Sequence, residues 1–263
     1  MIETKNLAVQ LSGKTILKNV NITAKPGEVT AIVGPNGSGK TTLIRALSGD
    51  LPYTGQALLD GALFETYKPW QMAERRAVLP QNSALSFPFT VREIVNLGLT
   101  GGRSGLTAAE EIRLPDQALE LVDLSGFGGR YYQELSGGEQ QRTQLARVLC
   151  QVWKPVLDGQ PRFLLLDEPV SSLDIRHQIV VMDIARNFAA KGGGVITILH
   201  DLNLTALYAD HVVMVHNGEI DASGSVATTL TNDRLLRVYE CPLQVGVAPP
   251  AGQPFVLPHS VFG

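Results

Sequence analysis

Residues 29–47 read Val-Thr-Ala-Ile-Val, then Gly34-Pro35-Asn36-Gly37-Ser38-Gly39-Lys40-Thr41, then Thr42-Leu-Ile-Arg-Ala-Leu. A short apolar strand breaks into a glycine-rich loop and continues as an amphipathic helix over residues 40–47, the order of a phosphate-binding unit. The octad fits GxxxxGK[ST], and its place between strand and helix separates a phosphate loop from a glycine-rich turn that merely contains a lysine. Glycines let successive backbone N–H groups point into one concavity. Lys40 adds a point charge for the β- and γ-phosphates, and Thr41 can set its hydroxyl on Mg²⁺.

Upstream, residues 2–11 and 16–24 alternate apolar and polar around Ser12-Gly13-Lys14, which predicts a hairpin of an antiparallel layer. Downstream, residues 56–60 and 76–79 read as further strands. Between about 90 and 150 the periodicity turns helical, with apolar stripes over 91–97, 116–122 and 138–149. That block reads as a helical subdomain inserted into a sheet domain. From residue 162 strands and helices alternate again (163–166, 178–190, 194–199, 202–208, 211–215), which predicts a crossover-connected parallel sheet. Asn217-Gly218 closes a terminal ribbon. From Leu243 the chain carries four prolines and few charges and reads as an extended tail.

Phe163-Leu164-Leu165-Leu166-Asp167-Glu168 is an apolar strand ending in two carboxylates, placed at the carboxyl edge where parallel sheets bind ligands. Asp167 can hold Mg²⁺ through its water shell, and Glu168 can orient or deprotonate the water attacking a γ-phosphate. Alone, the same pair could be the acidic first turn of a helix. Together with the phosphate loop it points to nucleoside triphosphate hydrolysis.

Composition bounds the rest. A 263-residue chain is long enough for one large α/β domain or for a core with a smaller subdomain. A net charge of −3 without a dense Lys/Arg run disfavours a nucleic-acid partner. Cys150 and Cys241 lack metal-ligand or CxxC spacing and read as buried or incidental thiols. The first residues, MIETKNLAVQ, carry Glu3 and Lys5 where an export signal would be apolar. The densest apolar run, 163–166, is strand-sized, far below the ~18 residues of a membrane span.

Leu135-Ser136-Gly137-Gly138-Glu139-Gln140-Gln141-Arg142 resembles the LSGGQ signature of ABC ATPases almost letter for letter. Ser136, Gly137 and Gly138 open a predicted helix, offering a hydroxyl, unhindered N–H groups and the positive end of a helix dipole to an anion, although Ser136 also suits a plain N-cap. Gln81, Ser171-Ser172-Leu173-Asp174 and His200-Asp201-Leu202 follow in the family's order and resemble its Q-loop, D-loop and switch histidine. A lone histidine at a strand end is otherwise more often structural.

The resemblance covers about residues 2–240 and implies an α/β fold: a P-loop NTPase core of the ABC type on a mixed, mainly parallel sheet, with an N-terminal antiparallel β layer and an inserted helical subdomain. It implies one ATPase domain over 1–242, the core formed by 1–89 and 151–242, the helical subdomain by 90–150, and a tail at 243–263. ATP would be held by Gly34, Pro35, Asn36, Gly37, Ser38, Gly39, Lys40, Thr41 and Thr42. It would meet Ser136, Gly137, Gly138 and Glu139, with Asp174 at the seam of a head-to-tail dimer that sandwiches two nucleotides. Thr41, Gln81 and Asp167 would hold Mg²⁺, and Glu168, His200 and Gln81 would serve catalysis. The family usually stacks an aromatic residue on adenine near the first hairpin, where this chain has Leu11.

Within the family the chain is most similar to import ATPases of the iron-chelate and vitamin B12 class. Residues 79–83, running into Phe87-Pro88-Phe89-Thr90-Val91-Arg92-Glu93, resemble ATPases of hemin importers, as does the long link over 153–162. The resemblance implies two membrane permease subunits as partners, a periplasmic binding protein acting indirectly, and a place at the cytoplasmic face of a bacterial inner membrane. Phe87 and Phe89 read either as a docking patch or as core of the helical subdomain. Siderophore or cobalamin import, an exporter's ATPase, and a repair or translation ATPase remain the alternatives. The last normally carries paired cassettes or long coiled-coil insertions, which this sequence lacks.

Overall fold

The computed structural model describes residues 1–81, 87–101 and 103–258. The chain opens with β1 (Ile2–Leu11), β2 (Lys14–Val20) and β3 (Thr23–Ala24), then β4 (Val29–Val33) and α1 (Lys40–Ser48). Next come β5 (Thr54–Leu59), β6 (Ala62–Leu63), α2 (Pro69–Arg75) and β7 (Arg76–Leu79). Three helices follow, α3 (Val91–Leu97), α4 (Ala108–Leu121) and α5 (Gly137–Gln151). Beyond them lie β8 (Val156–Leu157), β9 (Gln160–Pro161), β10 (Phe163–Leu166), α6 (Ile175–Ala190) and β11 (Gly194–Ile198). The last elements are α7 (Leu202–Tyr208), β12 (His211–His216), β13 (Glu219–Gly224), α8 (Val226–Thr229) and α9 (Asn232–Tyr239).

The central sheet runs β13-β12-β4-β11-β10-β7, with β12, β4, β11, β10 and β7 parallel and β13 antiparallel at one edge. Its middle strands are buried on both faces, so they read as apolar runs without alternation. In β10, Leu164 and Leu166 face one core while Phe163 and Leu165 face the other; β11 splits Val195 from Ile196 and Ile198 in the same way. The first core takes its other wall from Val91, Ile94 and Val95 of α3, Leu114, Ala118 and Leu119 of α4, and Leu145, Val148 and Leu149 of α5. The second is closed by an antiparallel layer, β2-β1-β5-β6 with β3 beside β1.

Several elements differ from expectation. α4 begins at Ala108, not at residue 116, and runs through Pro115. Thr107 caps it by accepting from Glu110 N–H, while the Glu110 carboxylate reaches back to Thr107, and this capping box starts the helix well before the proline. Asp174 caps α6 and so extends it to Ile175. The link over 153–162 folds into a small ribbon, β8–β9, turned at Asp158-Gly159 with both residues at positive φ. Its Arg162 is fully buried and donates to the carbonyls of Arg103 and Ser104. Residues 243–258 carry no strand or α-helix. Cys150 is buried, its thiol pushed up to about 12, and Cys241 is exposed.

Candidate nucleotide site

The strand order places the expected residues side by side. β4 runs into the phosphate loop, β11 ends two residues before His200, β10 ends at the acid pair, and β7 ends two residues before Gln81, so the four carboxyl ends stand in one row. The Asp167 amide continues the β10–β7 pairing by donating to Leu79 O at 2.9 Å.

The loop conformation requires its glycines. Gly34, Gly37 and Gly39 have φ of 147°, 77° and 108°. A Cβ on Gly34 would lie 2.1 Å from Val215 O, and one on Gly39 2.6 Å from Leu17 Cδ2, so the loop is wedged between β12 and β2. No side chain caps α1, and its first-turn N–H groups are left for an anion. Lys40 Nζ donates to Gly34 O at 2.8 Å and Pro35 O at 2.9 Å. Burial lowers its pKa, against the pull of Glu168 and Asp167. Ser38 Oγ is buried without a partner inside the same cradle, an orphan that a phosphate oxygen would satisfy.

Asp167 is 2% exposed, and its carboxyl is pushed up to about 6 by burial and by the neighbouring Glu168 charge. Thr41 Oγ1 approaches Asp167 Oδ1 at 3.3 Å. A buried carboxylate beside a hydroxyl, destabilised in its charged form, fits a hard cation that prefers oxygen donors. Glu168 sits at φ +52°, a left-handed conformation that is costly for a residue with a Cβ and concentrates at functional sites. Its Oε1 meets His200 Nε2 at 2.7 Å, joining two of the expected residues directly.

Gln81 is exposed, and the neighbouring Asn82 and Ser83 lie outside the described residues. Ser136 and Gly137 are exposed at the start of α5, which begins one residue earlier than expected. The capping reading of Ser136 is realised here. Its Oγ accepts from Glu139 N–H at 3.4 Å and donates to Glu139 Oε2 at 2.7 Å, and this bond, with a second from Ser136 N at 2.8 Å, holds the Glu139 carboxyl below its usual range. The helix mouth stays open because Gly137 and Gly138 carry no side chains. A Cβ on Gly138 would press on Leu173 Cδ2 and Ser172 O, both at 3.2 Å, so the signature rests on the 171–174 turn. Asp174 caps α6, accepting from His177 N–H and Nδ1 at 2.9 Å, and lies exposed. Among the described residues no hydrogen bond joins residues 136–139 or Asp174 to the phosphate loop. The sequence placed Gln141 in the signature stretch without a role of its own; the fold shows its side chain donating to Glu168 O. Leu11 is half-buried against the second core.

Residues 17–171 match the family model described as ABC transporter, and the chain belongs to this family as an ATP-binding cassette. Among curated relatives, the hemin import ATP-binding protein HmuV of Mesorhizobium japonicum is 60% identical over 260 residues, 99% of each chain. The protein of the same description from Chelativorans is 58% identical over 262 residues, all of both chains. In three dimensions the chain resembles the ATP-binding subunit of an ABC transporter with a TM-score of 0.76 at 23% identity, over 94% of this chain and 95% of that one. It also resembles cbiO1 of Clostridium perfringens, part of an ABC transporter complex, with a TM-score of 0.70 at 27% identity, over 90% and 92% of the two chains.

Proposed function

We propose that this chain is the energy-coupling ATPase of a hemin import complex, in which two copies close head to tail on two ATP molecules and move a pair of membrane permease subunits. The observation that carries the reading is the row of phosphate loop, His200, acid pair and Gln81 along one sheet edge. Hemin as cargo rests on the relatives of that description, at 54–60% identity over nearly the whole chain.

In this reading Lys40 leaves the carbonyls of Gly34 and Pro35 for the β- and γ-phosphates, and the α1 amides take the phosphate oxygens. Thr41, Asp167 and Gln81 are the oxygen donors that would hold Mg²⁺, which when bound offsets phosphate charge. Glu168 orients the attacking water and accepts its proton, while His200 stabilises the γ-phosphate and fixes the Glu168 carboxylate. The partner's Ser136–Glu139 helix mouth completes the γ-phosphate site, with Asp174 at the seam.

No helix among the described residues is long and apolar enough to cross a membrane, and in this reading other subunits make the crossing, this chain docking at their cytoplasmic face. Phe87 is 71% exposed just beyond the Gln81 segment, whereas Phe89 packs against the first core, so Phe87 is the residue offered for docking.

The test is ATP hydrolysis by liposomes carrying this subunit with its co-encoded permease, with and without a hemin-loaded binding protein, and with Glu168→Gln as control. Hydrolysis raised by the hemin-loaded protein and abolished in the control supports the reading. Hydrolysis indifferent to hemin keeps the ATPase and moves the cargo to siderophores or cobalamin.

A further inference from the structure

The Glu168 backbone, at φ +52°, is held by its carbonyl as well as by its neighbours. That oxygen accepts Gln141 Nε2 at 2.9 Å, Ser171 Oγ at 3.1 Å and Ser171 N at 3.3 Å. The two serine donors come from the same turn and move with Glu168. Gln141 comes from a different element, α5, about one turn on from Gly138 within the signature stretch. It is the one contact of the three that ties the Glu168 backbone to the helical part of the molecule. The Gln141 amide is oriented by chemistry, since only its nitrogen can donate to a carbonyl.

Its other half argues against a space-filling role. Gln141 Oε1 is buried with no hydrogen-bond partner. A residue kept only for packing would be better as Met or Leu, because a buried carbonyl with nothing donating to it costs free energy. The side chain is held at that cost with its nitrogen on Glu168 O. The same helix also touches this stretch at Gly138, which abuts Ser172 O and Leu173. Any shift of α5 is therefore delivered at two points to the segment that begins at Glu168.

We infer that Gln141 is a positioning residue, whose side-chain donor holds the Glu168 backbone so that movement of the signature helix re-aims the Glu168 carboxylate within the same subunit. This rests on the proposed ATPase function. The mouth of α5 would engage the nucleotide held by the partner subunit, while Glu168 works on the nucleotide held by its own. Gln141 then lets occupancy of one site adjust the geometry of the other.

The experiment measures MgATP hydrolysis by the full chain for wild type, Gln141→Met, Gln141→Glu and Glu168→Gln, with thermal melts of each. Both Gln141 variants remove the donor while keeping nearly the side-chain length. The expected result is a fall in kcat of about tenfold or more in both, with KM for ATP within about twofold, since misplacement of a reacting group lowers kcat without touching substrate binding. Their melting temperatures stay near wild type. Adding Gln141→Met to Glu168→Gln leaves the residual rate unchanged, because the carboxylate that Gln141 aims is already gone. Unchanged kcat in either variant, a raised KM with kcat intact, or loss of the folded state in both would overturn the inference. Failure of wild type to hydrolyse ATP would instead sink the ATPase reading beneath it, whereas full activity in Glu168→Gln would remove the catalytic role of Glu168 and overturn the inference with it.

Discussion

Glu168 Oε1 and His200 Nε2 meet at 2.7 Å across the carboxyl ends of adjacent strands β10 and β11. The pair sets a carboxylate and its orienting partner at the ends of the two strands that follow β4 in the sheet, the strand that runs into the phosphate loop. Glu168→Gln keeps the shape and removes the proton acceptor, so hydrolysis should fall by at least about 100-fold with ATP binding retained. His200→Ala should also lower kcat, by about tenfold or more, through loss of the Glu168 contact. Phosphate release, together with binding of a fluorescent nucleotide, checks both. A Glu168→Gln protein that loses nucleotide binding would place Glu168 in the binding cradle instead.

The legible part of this site is the part whose chemistry is local. Gly34 and Gly39 announce themselves because only glycine tolerates those φ values and approaches, Gly37 because its positive φ favours glycine, and the 163–168 run because a doubly buried strand must be apolar to its end. Gln81 and His200 were legible only by resemblance to the family's local sequences, and the strand order of the folded sheet is what sets them in a row with Asp167. What remained hidden depends on contacts across the chain or on short polar elements. α9 went unread because it is eight residues long and largely polar, although Leu235 and Val238 share a buried face. The β8–β9 ribbon has two-residue strands and a proline, and the first half of α4 lies behind Pro115, which normally marks a helix end. The Gln141 contact joins residues 27 positions apart and has no sequence signal at all.

Asp167 makes the stability of the nucleotide-free protein pH-sensitive. Its folded pKa, about 6, lies above the ordinary 3.8, so between these values the folded state binds a proton that the unfolded state does not. Its contribution to stability is therefore least unfavourable below about 4, worsens as pH rises to about 6, and is constant above. Asp167→Asn removes this dependence. Nucleotide-free Asp167→Asn should melt higher than wild type at pH 7.5, and the gap should shrink as pH falls through 6 towards 4. Mg²⁺-dependent hydrolysis should be lost in the same variant. A gap that widens on acidification would reverse the assigned sign.

Gly138 separates binding from catalysis. Its missing Cβ lets the helix mouth rest against Ser172 and Leu173, 3.2 Å from where a side chain would begin. Gly138→Asp adds bulk there and a negative charge at a helix N-terminus meant for an anion. ATP affinity of the single subunit should stay within about twofold, because its own phosphate loop is untouched, while hydrolysis falls by about 100-fold for want of the completed γ-phosphate site. Light scattering with ATP should find monomers where the Glu168→Gln protein forms dimers.

Leu11 bears on how the base is held. It ends β1, pairs with Lys14 across the Ser12-Gly13 turn, and is half-buried on the second core. The same hairpin covers the phosphate loop, since Leu17 Cδ2 and Ile16 O stand 2.6 and 3.4 Å from where a Gly39 Cβ would be. A leucine at that rim can give a nucleobase apolar contact but no π-face. Leu11→Tyr supplies one, and base–aromatic stacking is worth about 1–3 kcal/mol, so ATP should bind at least about fivefold tighter. Stacking is tolerant of base identity, so GTP should gain in parallel, whereas inorganic tripolyphosphate, which has no base, should bind as before. Equal gains for all three would trace the effect to a change in the loop. No gain for either nucleotide would mean that the base leaves the phosphate loop in another direction and is held by other residues.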